Sequence, residues 1–162
     1  MIILGIDPGT ATTGYGLIEI DLKNKKSLRC LAYGCITTLP EKSDGQRLKE
    51  IERELAKIIN KYKPDILAVE RIFFFKNQKT IITVSQAKGV IILTATKKKI
   101  PVVEYSPVEV KMAVSGYGRA EKKQIQKLIQ SLLDLENLPK PDDAADALGV
   151  AICCSQGLKC RK

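Results

Sequence analysis

Short apolar runs dominate the first 40 residues and predict three strands. The runs cover residues 2–7, 15–20 and 28–38, with a Pro-Gly turn signal at 8–9 and a polar, lysine-rich stretch at 23–26. Apolar runs of this length, bounded by turn residues, are typical of strands. Because short turns join antiparallel neighbours, these strands are predicted to form an antiparallel meander.

The spacing of the apolar positions then changes to that of a helix. Residues 43–62 place leucine, isoleucine and tyrosine side chains on one stripe, and Pro64 ends the pattern. The segment 65–69 continues after Asp65 as the unbroken apolar run Ile-Leu-Ala-Val, which is typical of a parallel strand buried on both faces. A second helix is predicted over residues 80–97 and a fifth strand over 101–105.

Helical patterns occupy most of the remaining chain. Ser106 and Glu109 match the two ends of a capping box, and they predict that a helix begins there. Further helices are predicted at 120–133 and, after two prolines, at about 142–156. We expect Asp142 to be the N-cap of the last helix, because aspartate is favoured at that position.

This order of elements predicts an α/β fold. Three antiparallel strands followed by two parallel strands give a five-stranded mixed sheet, with helices on both faces. Residues 1–157 are expected to form one domain, followed by a short basic tail at 158–162. The sequence contains neither a signal peptide nor an apolar stretch of about 18 residues, so we expect a cytoplasmic protein that does not enter a membrane.

The composition limits the chemistry that the chain can perform. It has no histidine, and its five cysteines show no C-x-x-C spacing. Ser-His-Asp triads, Cys-His triads and H-E-x-x-H zinc sites are therefore excluded, and any hydrolysis must rely on carboxylates, lysines and metal ions. The formal net charge of +9 indicates a polyanionic partner such as nucleic acid, although a basic protein whose charge serves solubility has the same composition.

Four acidic side chains stand in apolar surroundings. Asp7 ends the first strand and Glu70 ends the fourth, while Asp143 and Asp146 share one face of the last helix. Taken singly, Asp7 could cap a turn, Glu70 could pair with Arg71, and the helical acids could complement the helix dipole. However, the small residues of the last helix would let it approach the sheet and bring all four together. Clustered carboxylates need a cation, and this donor set favours Mg²⁺ or Mn²⁺.

Several segments carry a resemblance that runs in order from residue 1 to about 153. They are Gly5-Ile6-Asp7-Pro8-Gly9-Thr10, Gly14-Tyr15-Gly16, Ala68-Val69-Glu70, Gly118-Arg119-Ala120-Glu121-Lys122 and Asp143-Ala144-Ala145-Asp146-Ala147. Together these segments are similar to the motifs of the RuvC family of Holliday junction resolvases. The resemblance implies an RNase H-like fold and a homodimer. It also implies paired symmetric nicks in four-way junction DNA during recombination and repair, with RuvA and RuvB as partners.

The resemblance also implies roles for individual residues. The acids Asp7, Glu70, Asp143 and Asp146 match the family's catalytic positions and would hold two Mg²⁺ ions, with Mn²⁺ as a substitute. The DNA-binding residues expected from motif position and from neighbouring basic side chains are Phe73, Lys76, Lys111, Arg119, Lys122 and Lys123. Phe73 matches a base-stacking aromatic, while a hydrophobic cluster under the loop remains open for residues 73–75. A solvated helix face remains open for Lys123.

Three other functions are compatible with parts of the sequence. An ATP-binding phosphotransferase of the actin and sugar-kinase type would share the Asp-Pro-Gly-Thr loop, but it needs two related lobes and this chain has room for one. An RNase H-like nuclease that processes ribosomal RNA would share the Asp-x-Gly-Thr start but lack the Gly-Arg-Ala-Glu-Lys segment. A junction-binding module without catalysis would not need four intact acids.

Overall fold

The computed structural model describes residues 1–21, 27–72 and 78–160, with only the backbone at 78–80 and 159–160. The strands there are β1 (Ile2–Asp7), β2 (Thr12–Ile20), β3 (Leu28–Thr37), β4 (Ile66–Glu70) and β5 (Val102–Tyr105). The helices are α1 (Asp44–Tyr62), α2 (Gln78–Lys97), α3 (Pro107–Ser115), α4 (Lys122–Leu132) and α5 (Asp142–Cys160). Within these ranges, no helix is both long enough and apolar enough to span a bilayer.

All five strands form one sheet in the order β3-β2-β1-β4-β5. Strands β1, β2 and β3 pair antiparallel, while β4 is parallel to β1 and β5 is parallel to β4. The predicted five-stranded mixed sheet is therefore confirmed. The register pairs Ile6 with Val69, so Asp7 and Glu70 follow at the adjacent carboxyl ends of two parallel strands.

Helices cover both faces of the sheet, as predicted. Helices α1 and α2 pack against one face, whose core includes Leu4 and Ile6 of β1, whereas α3, α4 and α5 pack against the other face, which includes Ile3. Successive side chains of a strand point to opposite faces. By this alternation, Asp7 in β1 and Glu70 in β4 both lie on the face that α5 covers.

Predicted helix ends agree with the structure where the capping chemistry is local. Ser106 caps α3 and forms a complete capping box with Glu109, as expected. The prediction that Asp142 is an N-cap is wrong, because α5 begins at Asp142 itself. The Asp142 carboxylate instead accepts a hydrogen bond from Gln126 of α4 at 2.8 Å. Helix α5 also continues to Cys160, into the predicted basic tail.

Candidate active site

Glycines on the sheet let α5 lie directly against β1 and β2. A Cβ added at Gly14 would collide with the backbone carbonyl of Asp143, and one added at Gly5 would collide with that of Ala147. The facing positions of α5 are small as well, since Ala147 and Ala151 are fully buried. The predicted close approach of α5 is thus confirmed, and it depends on the glycines of the sheet as well as on the alanines of α5. This contact fixes the first turns of α5 beside the end of β1.

The four predicted acids act on one another electrostatically. The pKa of Asp7 is raised to about 8, first by burial and then by the charges of the three other acids, in decreasing order Glu70, Asp146 and Asp143. The pKa of Glu70 is raised to about 7, again by burial and then by Asp146. Carboxylates that raise each other's pKa lie close together. The structure therefore brings together four acids that the sequence places in three separate segments.

Two lysines lie beside these acids. The Nζ of Lys122 lies 3.0 Å from Oδ2 of Asp146 and 3.3 Å from Oδ2 of Asp142. Lys122 and Lys111 also line a cleft of about 200 Å³, together with Glu70 and Asp146. The cleft thus has an apolar wall, formed by residues such as Val110 and Ile125, and a rim that carries both signs of charge.

The donor set fits a hard divalent cation, because carboxylate oxygens are the ligands that Mg²⁺ and Mn²⁺ prefer. Burial and then the neighbouring acids raise the pKa values of Asp7 and Glu70, so a cation bound beside them would stabilise their ionised forms. In the part of the chain that the structure describes, no three Asp, Glu or Cys side chains form a ready-made ligand set. Oδ2 of Asp146 contacts the ammonium of Lys122 instead.

The predicted DNA-binding residues fall into three groups. Lys111 and Lys122 line the cleft beside the acids. Arg119 and Lys123 are exposed, in the turn before α4 and in its first turn. Phe73 and Lys76 lie outside the described residues, so their predicted contacts are not located.

The loop after Asp7 is hydrogen-bonded to both helices of the opposite face, a contact that no local sequence pattern indicates. The hydroxyl of Thr10 donates to the carbonyl of Thr83 in α2 at 2.8 Å. The hydroxyl of Thr38 donates to the carbonyl of Thr10 at 2.7 Å, and Nε of Arg47 in α1 donates to the Thr38 hydroxyl at 2.8 Å. Thr10 and Thr38 are both buried. This chain of hydrogen bonds holds the loop that positions Asp7.

The raised pKa values predict how the stability of the ion-free protein depends on pH. Folded Asp7 and Glu70 keep their protons up to about pH 8 and 7, whereas the unfolded chain releases them near pH 4. Unfolding between these limits therefore releases protons, so stability should fall as the pH rises from about 5 to 8. Thermal unfolding in EDTA should show this decline, and Asp7→Asn should make it shallower. A melting temperature that rises across the window would contradict the assignment.

Comparison with known proteins places this arrangement among junction-cutting nucleases. The family model described as crossover junction endodeoxyribonuclease RuvC matches residues 3–154. The protein of that name from Syntrophomonas wolfei is 55% identical over 153 residues, which are 94% of this chain and 87% of the relative. The one from Heliobacterium modesticaldum is 52% identical over 158 residues, which are 98% of this chain and 96% of the relative.

Solved structures give the same result for the fold. The structure of RuvC from Thermus thermophilus superposes with a TM-score of 0.89 at 28% sequence identity, covering 98% of this chain and 96% of that one. The structure of the same protein in complex with a Holliday junction substrate superposes with a TM-score of 0.88 at 25% identity, covering 99% and 97%. The similarity thus extends over the whole sheet and over the helices on both of its faces.

Proposed function

The chain belongs to the RuvC family of crossover junction endodeoxyribonucleases, and on this basis we propose that the acids Asp7, Glu70, Asp143 and Asp146 form its cleavage centre. The protein is a structure-specific endonuclease with an RNase H-like fold that resolves four-way DNA junctions. The observation that carries the assignment is the convergence of these partly buried acids at the carboxyl ends of β1 and β4 and the start of α5. We further propose that residues 1–157 act as a single nuclease domain.

Cleavage in this family depends on a metal ion, and we propose that the four acids hold Mg²⁺, two ions per site, with Mn²⁺ as a substitute. Two such ions supply an activated water and stabilise the leaving oxygen of the phosphodiester. The contribution of the chain is to hold its carboxylates on rigid elements, two strand ends and a helix that glycines bring against the sheet. The chain has no histidine that could take over the role of these carboxylates.

We propose that the basic residues around the cleft bind the DNA backbone. Lys111 and Lys122 lie beside Glu70 and Asp146, where a phosphate entering the site would meet them. Arg119 and Lys123 are exposed nearby, and we propose Phe73 and Lys76 as further contacts from their motif positions. Phosphate contacts are independent of sequence and weaken as salt is raised. Selectivity for a junction should therefore arise from the shape of the DNA.

A cleavage assay on matched substrates tests this function. With Mg²⁺ or Mn²⁺, a mobile four-way junction should be cut far faster than linear duplex of the same sequence. Ca²⁺ should support binding without comparable cutting, because it is larger and tolerates irregular ligand geometry. Equal rates on junction, duplex and RNA–DNA hybrid would leave only a generic RNase H-like nuclease. Full activity in EDTA would refute the metal assignment.

We propose that the protein is a homodimer that pairs through α2. Its exposed face carries Ile82, 63% exposed, and Leu93, 52% exposed, with Gly89 between them. A Cβ added at Gly89 would meet nothing within 4 Å, so this face is open to the close approach of a second copy. A two-fold dimer would present one site to each of two opposed strands of a junction.

Charge placed on this face should separate the protomers. Ile82→Asp or Leu93→Asp should raise the dimer dissociation constant by roughly 30-fold or more, as expected for a central apolar contact. Sedimentation would measure the assembly, and a circular junction substrate would report whether the two nicks remain coupled. Leu39→Asp is the matched control, since Leu39 is 60% exposed and lies outside α2. An unchanged dimer in both α2 variants would contradict the proposed interface.

The remaining proposals rest on family membership alone. We propose that the protein acts with the branch-migration proteins RuvA and RuvB, and that it works in the cytoplasm, where its junction substrate would be found. A pull-down with purified RuvA and RuvB on junction DNA would test the first of these. A junction complex that excludes both proteins would contradict it.

A further inference from the structure

Lys122 links two helices at the edge of the carboxylate cluster. Its ammonium contacts Asp142 in the first turn of α5 and Asp146 one turn further on, although Lys122 itself belongs to α4. Gln126 of α4 completes the link, because its Nε2 donates to Oδ1 of Asp142 at 2.8 Å. A single positive charge thus connects the two helices.

The start of α4 does not by itself favour a lysine. A cation in the first turn of a helix opposes the helix dipole. The first turn of α4 contains no acidic residue, and its N-cap, Glu121, forms no side-chain capping hydrogen bond. The position of Lys122 is therefore maintained by its partners on α5.

These two partners differ in their surroundings. The side chain of Asp146 is 34% exposed and belongs to the acids proposed to hold the metal, whereas that of Asp142 is 62% exposed and does not. An ion bound through Asp146 would share the carboxylate whose Oδ2 Lys122 contacts, and two cations at this range repel each other. Asp142 offers Lys122 a second anion that is not needed for the ion.

We propose that Lys122 is the internal counter-ion of the ion-free site, that it competes with the divalent ion for Asp146, and that Asp142 retains it when the ion binds. The inference rests on the proposed function, because it requires Asp146 to be a metal ligand. A lysine retained by Asp142 stays at the rim of the cleft that Lys111 also lines. Its ammonium then becomes available to a DNA phosphate only after the ion has entered.

Mn²⁺ binding to the full-length protein without DNA tests this competition. Calorimetry, or the electron paramagnetic resonance of free Mn²⁺, gives the dissociation constant. Lys122→Met should tighten binding by about two- to fivefold, the range expected from losing a partly exposed ion pair. Asp142→Asn leaves Lys122 with Asp146 alone and should weaken binding by about twofold or more. If the contact of Lys122 with Asp142 and Asp146 were purely structural, Lys122→Met and Asp142→Asn would change the Mn²⁺ affinity in the same direction.

Two further variants separate the competition from simple changes of charge. Lys127→Met removes a charge from an exposed site on the same helix and should leave the Mn²⁺ affinity unchanged. When Lys122 is already methionine, Asp142→Asn should change the Mn²⁺ affinity no more than the removal of a distant negative charge would. The reason is that Asp142 acts on the ion through its contact with Lys122. An equal effect of Asp142→Asn in both backgrounds would overturn the retaining role of Asp142.

Asp146→Asn distinguishes failure of this inference from failure of the proposed site. If Asp146→Asn leaves Mn²⁺ binding intact, Asp146 is not a ligand, and the site assignment falls together with the inference. Suppose instead that Asp146→Asn weakens Mn²⁺ binding, but Lys122→Met leaves the affinity unchanged or lowers it. Asp146 is then still a ligand, and only the proposed competition between Lys122 and the ion is wrong. Lys122→Gln serves as the second variant if the methionine variant does not fold, and thermal unfolding checks every protein.

Discussion

Replacing Asp7 with asparagine should abolish junction cleavage and leave junction binding largely intact. The amide keeps the shape of the side chain but removes the carboxylate on which the three other acids of the cluster act. The loss of cleavage should be on the order of a hundredfold to a thousandfold or more, as when one charge-stabilising group is removed from other active sites. Binding should persist because it depends on phosphate contacts from a protein of net charge +9.

Mobility shifts and single-turnover cleavage, measured on the same junction with Mg²⁺, would check this result. Asp44→Asn is the matched control, because Asp44 undergoes the same chemical change at an exposed position in the first turn of α1. It should cut at the normal rate. Loss of binding together with cleavage in a folded Asp7→Asn protein would contradict the catalytic role of Asp7.

The sequence was sufficient for the features that depend on local interactions. Apolar runs predicted all five strands and their mixed arrangement, because burial on one or both faces leaves a pattern along the chain. The capping box of Ser106 and Glu109 was predicted from spacing alone, since its hydrogen bonds span three residues. The candidate acids could be found because each one interrupts an apolar segment.

Features that depend on distant segments could not be predicted. Asp142 was expected to cap its own helix, but its carboxylate contacts Gln126 and Lys122 of a different helix. The bond from Thr10 to Thr83 crosses 73 residues, and a threonine after a Pro-Gly turn gives no sign of its partner. The small residues of α5 predicted a close approach to the sheet, yet nothing local showed which strand residues would face them.

The second large effect is expected at Gly14, which makes that close approach possible. A methyl group there would collide with the backbone carbonyl of Asp143, and a backbone atom cannot rotate aside as a flexible side chain can. In Gly14→Ala, α5 must move away from β2 or the strand must bend. Overpacking of this kind costs about 1–3 kcal/mol of folding free energy. Because Asp143 and Asp146 move with α5, the distance from each to Asp7 changes as well.

Cleavage by the molecules that remain folded should therefore also be slowed. A misplacement of about 1 Å can cost on the order of a hundredfold in rate, so the folded fraction of Gly14→Ala should cut junctions at least that much more slowly. Mn²⁺ affinity should fall in parallel, because the acids of α5 no longer meet those of the sheet. Single-turnover rates corrected for the folded fraction, together with thermal unfolding and Mn²⁺ titration, measure all three quantities.

Gly45 provides the matched control for this substitution. A Cβ added there, in the first turn of α1, meets nothing within 4 Å. Gly45→Ala should keep full cleavage and gain up to about 1 kcal/mol of stability, because alanine loses less conformational freedom in a helix than glycine does. If Gly14→Ala were destabilised but cut normally per folded molecule, the contact between α5 and β2 would be structural only. The placement of Asp143 and Asp146 would then not depend on how closely α5 approaches the sheet.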